Sequence, residues 1–111
     1  MFTVIETPEF IVWSAKVWTD DERKEFIDWI AVNADAGDVI PGSGGLRKVR
    51  WSRGGMGRRG GARVIYFTRN ERGEVVQLLA YAKARFDNIG AEVLRAIKEK
   101  FDAQDQGHPR H

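Results

Sequence analysis

The sequence contains no cysteine, and that absence excludes disulfide bonds, cysteine-ligated zinc and thiol nucleophiles together. It also favours a reducing compartment. Histidine is scarce as well, since His108 and His111 are the only two and both lie near the C-terminus. We therefore expect no His-based catalytic triad, no metal site in the core and no other cofactor.

Long apolar runs are also missing. No stretch approaches the roughly 18 apolar residues of a membrane-spanning helix, and the N-terminus has no cationic segment leading into an apolar run. We expect a cytoplasmic protein without a membrane partner. At 111 residues, 42% of them hydrophobic, the chain fits one globular domain. We place this domain at residues 1–103 and expect residues 104–111 to form a flexible tail.

The charged residues are divided unevenly along the chain. Residues 47–72 hold nine Lys or Arg and one acid, whereas the rest of the chain holds nine basic and fifteen acidic residues. The basic block therefore carries a net charge of +8 and the remainder −6, which together give the overall +2. Such a concentration of one sign attracts polyanions through Coulomb forces and counterion release. RNA or DNA is the expected ligand.

Hydrophobic periodicity and turn signals predict seven elements in the order β-α-α-β-β-β-α. Thr7 and Pro8 end a first strand and open a helix, and Thr19 with Glu22 forms a capping-box pattern before a second helix. Further strands are predicted at 46–51, 62–68 and 74–81, and a last helix at 89–101. Three consecutive strands indicate an antiparallel sheet. The predicted class is α+β, with helices packed on one face of the sheet and the other face left for function.

The predicted strand at 46–51 cannot bury both of its faces. Alternation places Leu46, Lys48 and Arg50 on one face, and Arg47, Val49 and Trp51 on the other. One surface of this strand must therefore present cations to solvent or to a ligand. The segment at 52–61 follows with five glycines, which suit a mobile hairpin loop or a close backbone approach to a ligand.

Catalysis by cations is the chemistry that this composition still permits. When the ribose 2′-OH of RNA attacks the adjacent phosphate, the hydroxyl proton, the charge on the phosphate oxygens and the leaving 5′-oxygen must all be accommodated. Arginines around the phosphate can stabilise the developing charge. A lysine crowded by arginines loses its proton more readily, which makes Lys48 the candidate proton acceptor. The alternative is that these cations hold phosphates and perform no chemistry.

Three motifs resemble the RelE/ParE toxin superfamily, specifically its HigB-type branch from bacterial type II toxin–antitoxin operons. They are GDVIPGSGGLRKVRW at 37–51, RRGGARVIYF at 58–67 and YAKARFDN at 81–88, and the similarity spans residues 2–101. The resemblance implies a RelE-like fold and a metal-independent endoribonuclease that cuts mRNA codons in the ribosomal A site, leaving a cyclic phosphate. It also implies a cognate antitoxin, often with a helix-turn-helix domain.

The resemblance further implies a catalytic set of Lys48, Arg50, Arg63 and Lys83. Lys48 and Arg50 match the paired cations that serve such toxins as proton acceptor and phosphate clamp. Arg63 matches the arginine that stabilises transition-state charge, and Lys83 matches a basic residue after the last strand. Ala84 departs from the polar residue that relatives often have there, and Arg85 is the candidate to compensate.

A further set of cations is predicted to bind RNA, ribosomal RNA included; its members are Arg47, Arg53, Arg58, Arg59 and Arg85. The alternative for these residues is a solvated basic loop. Trp51, Tyr66 and Phe67 are expected in the core, with stacking on bases as the alternative. Two other functions stay open: a gyrase-poisoning member of the same superfamily, and a nucleic-acid-binding module without catalysis.

Overall fold

A computed structural model describes residues 1–51, 61–82 and 89–106, of which 104–106 by their backbone alone. The elements follow one another as β1 (Thr3–Glu6), α1 (Pro8–Ser14), α2 (Asp20–Val32), β2 (Asp38–Val39), β3 (Arg47–Trp51), β4 (Ala62–Arg69), β5 (Glu74–Tyr81) and α3 (Ala91–Gln106). A 3-10 turn at Asn70–Arg72 joins β4 to β5. The predicted order of elements is confirmed, with the two-residue strand β2 added to it.

The five strands form one sheet in the order β1-β5-β4-β3-β2. Strands β3, β4 and β5 pair antiparallel, as predicted, and β2 pairs antiparallel with β3. Strand β1 pairs parallel with β5. A parallel pair requires a long crossover connection, and here all the intervening elements supply it. The α+β class is confirmed, and the sheet is mixed.

Both N-terminal helices begin at a threonine cap. The Thr7 hydroxyl accepts a hydrogen bond from the Phe10 amide at 3.1 Å and donates one to the Gln77 carbonyl at 2.9 Å, which ties the start of α1 to β5. At α2 the Thr19 hydroxyl accepts from the Glu22 amide, and the Glu22 carboxylate accepts from the Thr19 amide at 2.9 Å. The capping box predicted from the sequence is therefore confirmed.

Strand β4 is buried on both faces of the sheet. Its residues 64–67 are each at most 3% exposed, although successive side chains point to opposite faces. On one face Tyr66 belongs to a cluster that contains Phe26 and Ile30 of α2. On the other face Phe67 belongs to a second cluster that contains Leu94 of α3. The two apolar clusters therefore lie on opposite sides of the sheet.

This packing differs from the expectation of helices on one face, because α2 covers one face and α3 the other. The physical reason is the run at 62–67, which is apolar at nearly every position and so needs cover on both sides. The last helix also extends to Gln106, so that residues 104–106 prolong it, while 107–111 of the expected tail lie outside the described residues. Within the described part of the chain, no helix is long and apolar enough to cross a membrane.

Candidate nucleic-acid interface

Three cations of the predicted catalytic set lie together on β3 and β4. Arg50 is directly opposite Arg63, and Lys48 is opposite Ile65. Directly opposed side chains have Cβ atoms about 4.5–5.5 Å apart, and diagonal neighbours such as Lys48 and Arg63 about 7–8 Å. Lys48, Arg50 and Arg63 share one face, and we refer to them as the three-cation patch. Their spacing allows all three to contact the oxygens of a single phosphate.

The orientation of the patch follows from what the other face of β3 buries. Val49 is only 8% exposed and packs with the partly buried Trp51 in the cluster beneath α2. Because side chains alternate, Lys48 and Arg50 must point the opposite way. Leu46 begins the same face and is fully buried in the cluster beneath α3. The patch is therefore the continuation of this apolar face toward the end of β3.

The three cations differ in exposure and in partners. Arg50 is exposed and forms no hydrogen bond or ion pair with any described residue, whereas Lys48 and Arg63 are half-buried. The Arg63 guanidinium donates from Nη1 to the carbonyl of Ala82 at 3.1 Å, just beyond the end of β5. This bond fixes Arg63 at the point where the chain continues to Lys83. Lys83 itself lies outside the described residues.

Arg47 lies on the face opposite the patch. Its guanidinium donates from Nη1 to the Gly37 carbonyl at 2.6 Å and to the Asp35 carbonyl at 3.5 Å. Its Nη2 is 4.0 Å from the Asp35 carboxylate. The predicted RNA contact of Arg47 stays a prediction, and the structure adds a set of intramolecular partners to it. Arg53, Arg58, Arg59 and Arg85 lie outside the described residues.

The aromatic residues considered for base stacking are part of the core. Tyr66 is fully buried and Phe67 is 3% exposed. Trp51 packs edge-on against Trp18 and Phe26, with ring centroids 5.6 Å away in both cases. Burial raises the pKa of the Tyr66 phenol, and this outweighs the opposing effects of its hydrogen bond from Gly37 and of the Arg47 charge.

Arg69, at the far end of β4, is part of a separate charged cluster. Its Nε is 3.3 Å from the Glu74 carboxylate across the β4–β5 pair, and both side chains are 13% exposed. Its guanidinium also lies 5.1 Å from the centre of the Phe101 ring of α3. One signal for this arrangement is present in the sequence, since Glu74 is the first acid after the turn that follows Arg69. Among the described cations of the basic block, Arg47 and Arg69 are therefore engaged in intramolecular contacts away from the three-cation patch.

The described residues include no group of three or more His, Asp or Glu side chains that could hold a metal ion. The ammonium and guanidinium groups of the patch can bind phosphate, stabilise negative charge and transfer protons.

Comparison with known proteins bears on the fold. No protein-family model matches the chain. Among solved structures, the chain is similar to a mutant of the E. coli toxin RelE in its free state, with a TM-score of 0.60 and 11% sequence identity. The similarity covers 87% of this chain and 96% of that one. The protein therefore has a RelE-like fold.

Proposed function

We propose that this protein is the toxin of a type II toxin–antitoxin system, of HigB type, and that it is an endoribonuclease of ribosome-bound mRNA. The observation that carries the proposal is the three-cation patch, formed by Lys48, Arg50 and Arg63 on neighbouring strands of a RelE-like sheet. Three neighbouring cations on one face of the sheet can form a site of the size of one phosphate. A solved structure with this fold is named as a toxin, which supports the proposed biological setting.

The proposed reaction cleaves RNA by attack of its own 2′-OH. Lys48 accepts the hydroxyl proton while the 2′-oxygen forms a bond to phosphorus and the bond from phosphorus to the 5′-oxygen breaks. Arg50 binds the phosphate oxygens, and Arg63 stabilises the negative charge that develops on them. The leaving 5′-oxygen takes up a proton, for which the Lys83 ammonium is the proposed donor, and the products are a 2′,3′-cyclic phosphate and a 5′-hydroxyl.

The proposed partners follow from this activity. The substrate is mRNA in the ribosomal A site of the cytoplasm, and Arg53, Arg58, Arg59 and Arg85 are the proposed contacts to ribosomal RNA, with Arg47 as a further candidate. A cell that makes such an enzyme must inhibit it, so a cognate antitoxin is expected. We propose that the antitoxin carries a helix-turn-helix domain.

Primer extension on a defined mRNA tests the proposal. Purified protein is incubated with the mRNA in the presence and absence of translating ribosomes. Cuts within A-site codons are expected only with ribosomes, and Lys48→Ala or Arg63→Ala should reduce cleavage by about 100-fold or more, the range for loss of one catalytic donor or base. Lys24→Ala is the matched control, because Lys24 is an exposed cation on α2 and should leave cleavage unchanged.

A folded wild-type protein that makes no cuts under either condition contradicts the nuclease proposal. The same preparation can then be assayed with gyrase and supercoiled DNA, where accumulation of cleaved DNA would identify a gyrase poison. RNA binding without either activity would leave a binding module. In that case Arg50→Ala should still reduce the salt dependence of binding, by about 0.7 in the slope of log K against log salt.

A further inference from the structure

The 34–37 segment, which connects α2 to β2, is hydrogen-bonded to a buried side chain of β4. The Tyr66 hydroxyl donates a hydrogen bond to the Ala34 carbonyl at 2.8 Å and accepts one from the Gly37 amide at 2.9 Å. Tyr66 is fully buried, so neither bond competes with bulk water. One phenol therefore satisfies a backbone acceptor and a backbone donor of the same segment.

Arg47, whose side chain is more exposed than that of Tyr66, binds the same segment. Arg47 is directly opposite Tyr66 in the β3–β4 register, so both side chains approach from one face of the sheet. The Arg47 guanidinium donates to the Gly37 carbonyl at 2.6 Å. Gly37 thus has both its amide and its carbonyl held by side chains, one from β4 and one from β3.

Gly37 also lies directly against the backbone of Lys48. A Cβ atom built on Gly37 would be 3.0 Å from the Lys48 carbonyl oxygen and 2.8 Å from the Tyr66 hydroxyl. The next residue, Asp38, pairs with Lys48 in the β2–β3 register. Strand β2 has only two residues, so few backbone hydrogen bonds attach it to the edge of β3. The Ile40 amide, which donates to the Leu46 carbonyl at 2.8 Å, holds the chain after β2, and the bonds to Gly37 hold it before β2.

We propose that Tyr66 is a positioning residue for Lys48: through Gly37 it fixes β2 on the outer edge of β3, and this fixes the backbone from which Lys48 projects. The catalytic part of this inference rests on the proposed nuclease function. Arg47 completes the arrangement from the exposed side. Tyr66 does not touch the face that carries the three-cation patch, so its effect on the reaction is exerted through the backbone.

Amide hydrogen exchange of the Tyr66→Phe variant tests the structural part without any assay of activity. This substitution removes only the hydroxyl, and exchange across residues 34–40 and 47–49 should accelerate by tenfold or more, while β5 stays protected. Ser14→Ala is the control, because Ser14 is a fully buried hydroxyl on α1 that donates to the Ile11 carbonyl. Ser14→Ala should leave exchange at 34–40 unchanged. Unchanged exchange there in Tyr66→Phe overturns the proposal.

Cleavage kinetics test the positioning part, at a temperature where both proteins are fully folded. Tyr66→Phe should lower kcat by tenfold or more and leave KM for programmed ribosomes within twofold. Combined with Lys48→Ala it should cause no further loss, because its effect passes through Lys48. Faster exchange with unchanged kcat, or a fully additive double variant, contradicts a positioning role.

If the wild-type protein does not cleave mRNA, the proposed nuclease function is wrong. The exchange experiment still decides whether Tyr66 fixes β2. If Tyr66→Phe does not fold, Arg47→Gln disrupts the same segment from the exposed side. It should accelerate exchange at 34–40 by severalfold, and normal protection there in Arg47→Gln overturns the proposal.

Discussion

Arg50 lies directly opposite Arg63 on the neighbouring antiparallel strand, so that two positively charged residues occupy one cross-strand pair of β3 and β4. Like charges in this position destabilise a sheet by about 0.2–1 kcal/mol. We therefore expect Arg50→Thr to raise the free energy of unfolding by a similar amount. Urea denaturation at low salt measures it, and the gain should shrink as salt screens the repulsion.

Arg50→Lys is the control for Arg50→Thr, because it changes the side chain and retains the positive charge. It should leave the free energy of unfolding nearly unchanged. Arg47→Gln should have the opposite sign to Arg50→Thr, since it removes the bond to the Gly37 carbonyl. A loss of stability in Arg50→Thr at low salt would mean that Arg50 makes a stabilising contact in solution.

The sequence was sufficient to predict which residues form the three-cation patch, but not how they are placed relative to one another. The alternation of residues 46–51 assigned Lys48 and Arg50 to one face, and the structure confirms that assignment, because the period of a strand is a local property. The pairing of Arg50 with Arg63 depends on the register across the long 52–61 connection, and no local signal encodes that register.

The position of Arg47 shows a second limit of sequence analysis. Its acceptors are the backbone carbonyls of Gly37 and Asp35. Because every residue type presents a carbonyl, no sequence pattern identifies these two as the partners of Arg47. The capping box at Thr19 and Glu22 was predicted correctly because its partners are three residues apart and their side chains are characteristic. The parallel pairing of β1 with β5 had no such local marker.

Gly37→Ala should destabilise the fold by about 1–3 kcal/mol, the usual cost of overpacking. The added Cβ would meet the Tyr66 hydroxyl at 2.8 Å and the Lys48 carbonyl at 3.0 Å, and both are held in place. Urea denaturation measures the change. Gly90→Ala is the control, because its Cβ would meet no heavy atom within 4 Å, and it should be neutral or slightly stabilising. Equal effects of the two substitutions would refute the steric explanation.

Stability should fall steeply with alkaline pH because of Tyr66. Burial raises its pKa above the ordinary value of 10.0, so the folded state holds the phenolic proton more tightly than the unfolded chain does. The resulting stabilisation is complete below about pH 10 and is lost as pH rises through the folded-state pKa, with a slope of at most about 1.4 kcal/mol per pH unit.

Tyr66→Phe isolates this contribution, since every other group still titrates in the variant. The difference in unfolding free energy between wild type and Tyr66→Phe should be constant below pH 10 and should decrease above it. A difference that stays constant to the highest pH at which the protein folds would show that Tyr66 has the same pKa in both states.

Gln77 is fully buried in β5, and neither atom of its side-chain amide has a hydrogen-bond partner among the described groups. Its backbone carbonyl, by contrast, accepts bonds from both the amide and the hydroxyl of Thr7. Desolvating an unpaired amide costs about 1–3 kcal/mol, so Gln77→Met, which preserves volume, should stabilise the fold by about 1 kcal/mol.

Ser43→Ala provides the comparison of opposite sign. The Ser43 hydroxyl is equally buried but donates to the Ile40 carbonyl at 2.6 Å and accepts from the Leu46 amide at 3.0 Å, so its loss should destabilise. Urea denaturation at constant m-value measures both, and a Gln77→Met variant less stable than wild type would show that the amide is hydrogen-bonded in solution, as by a buried water.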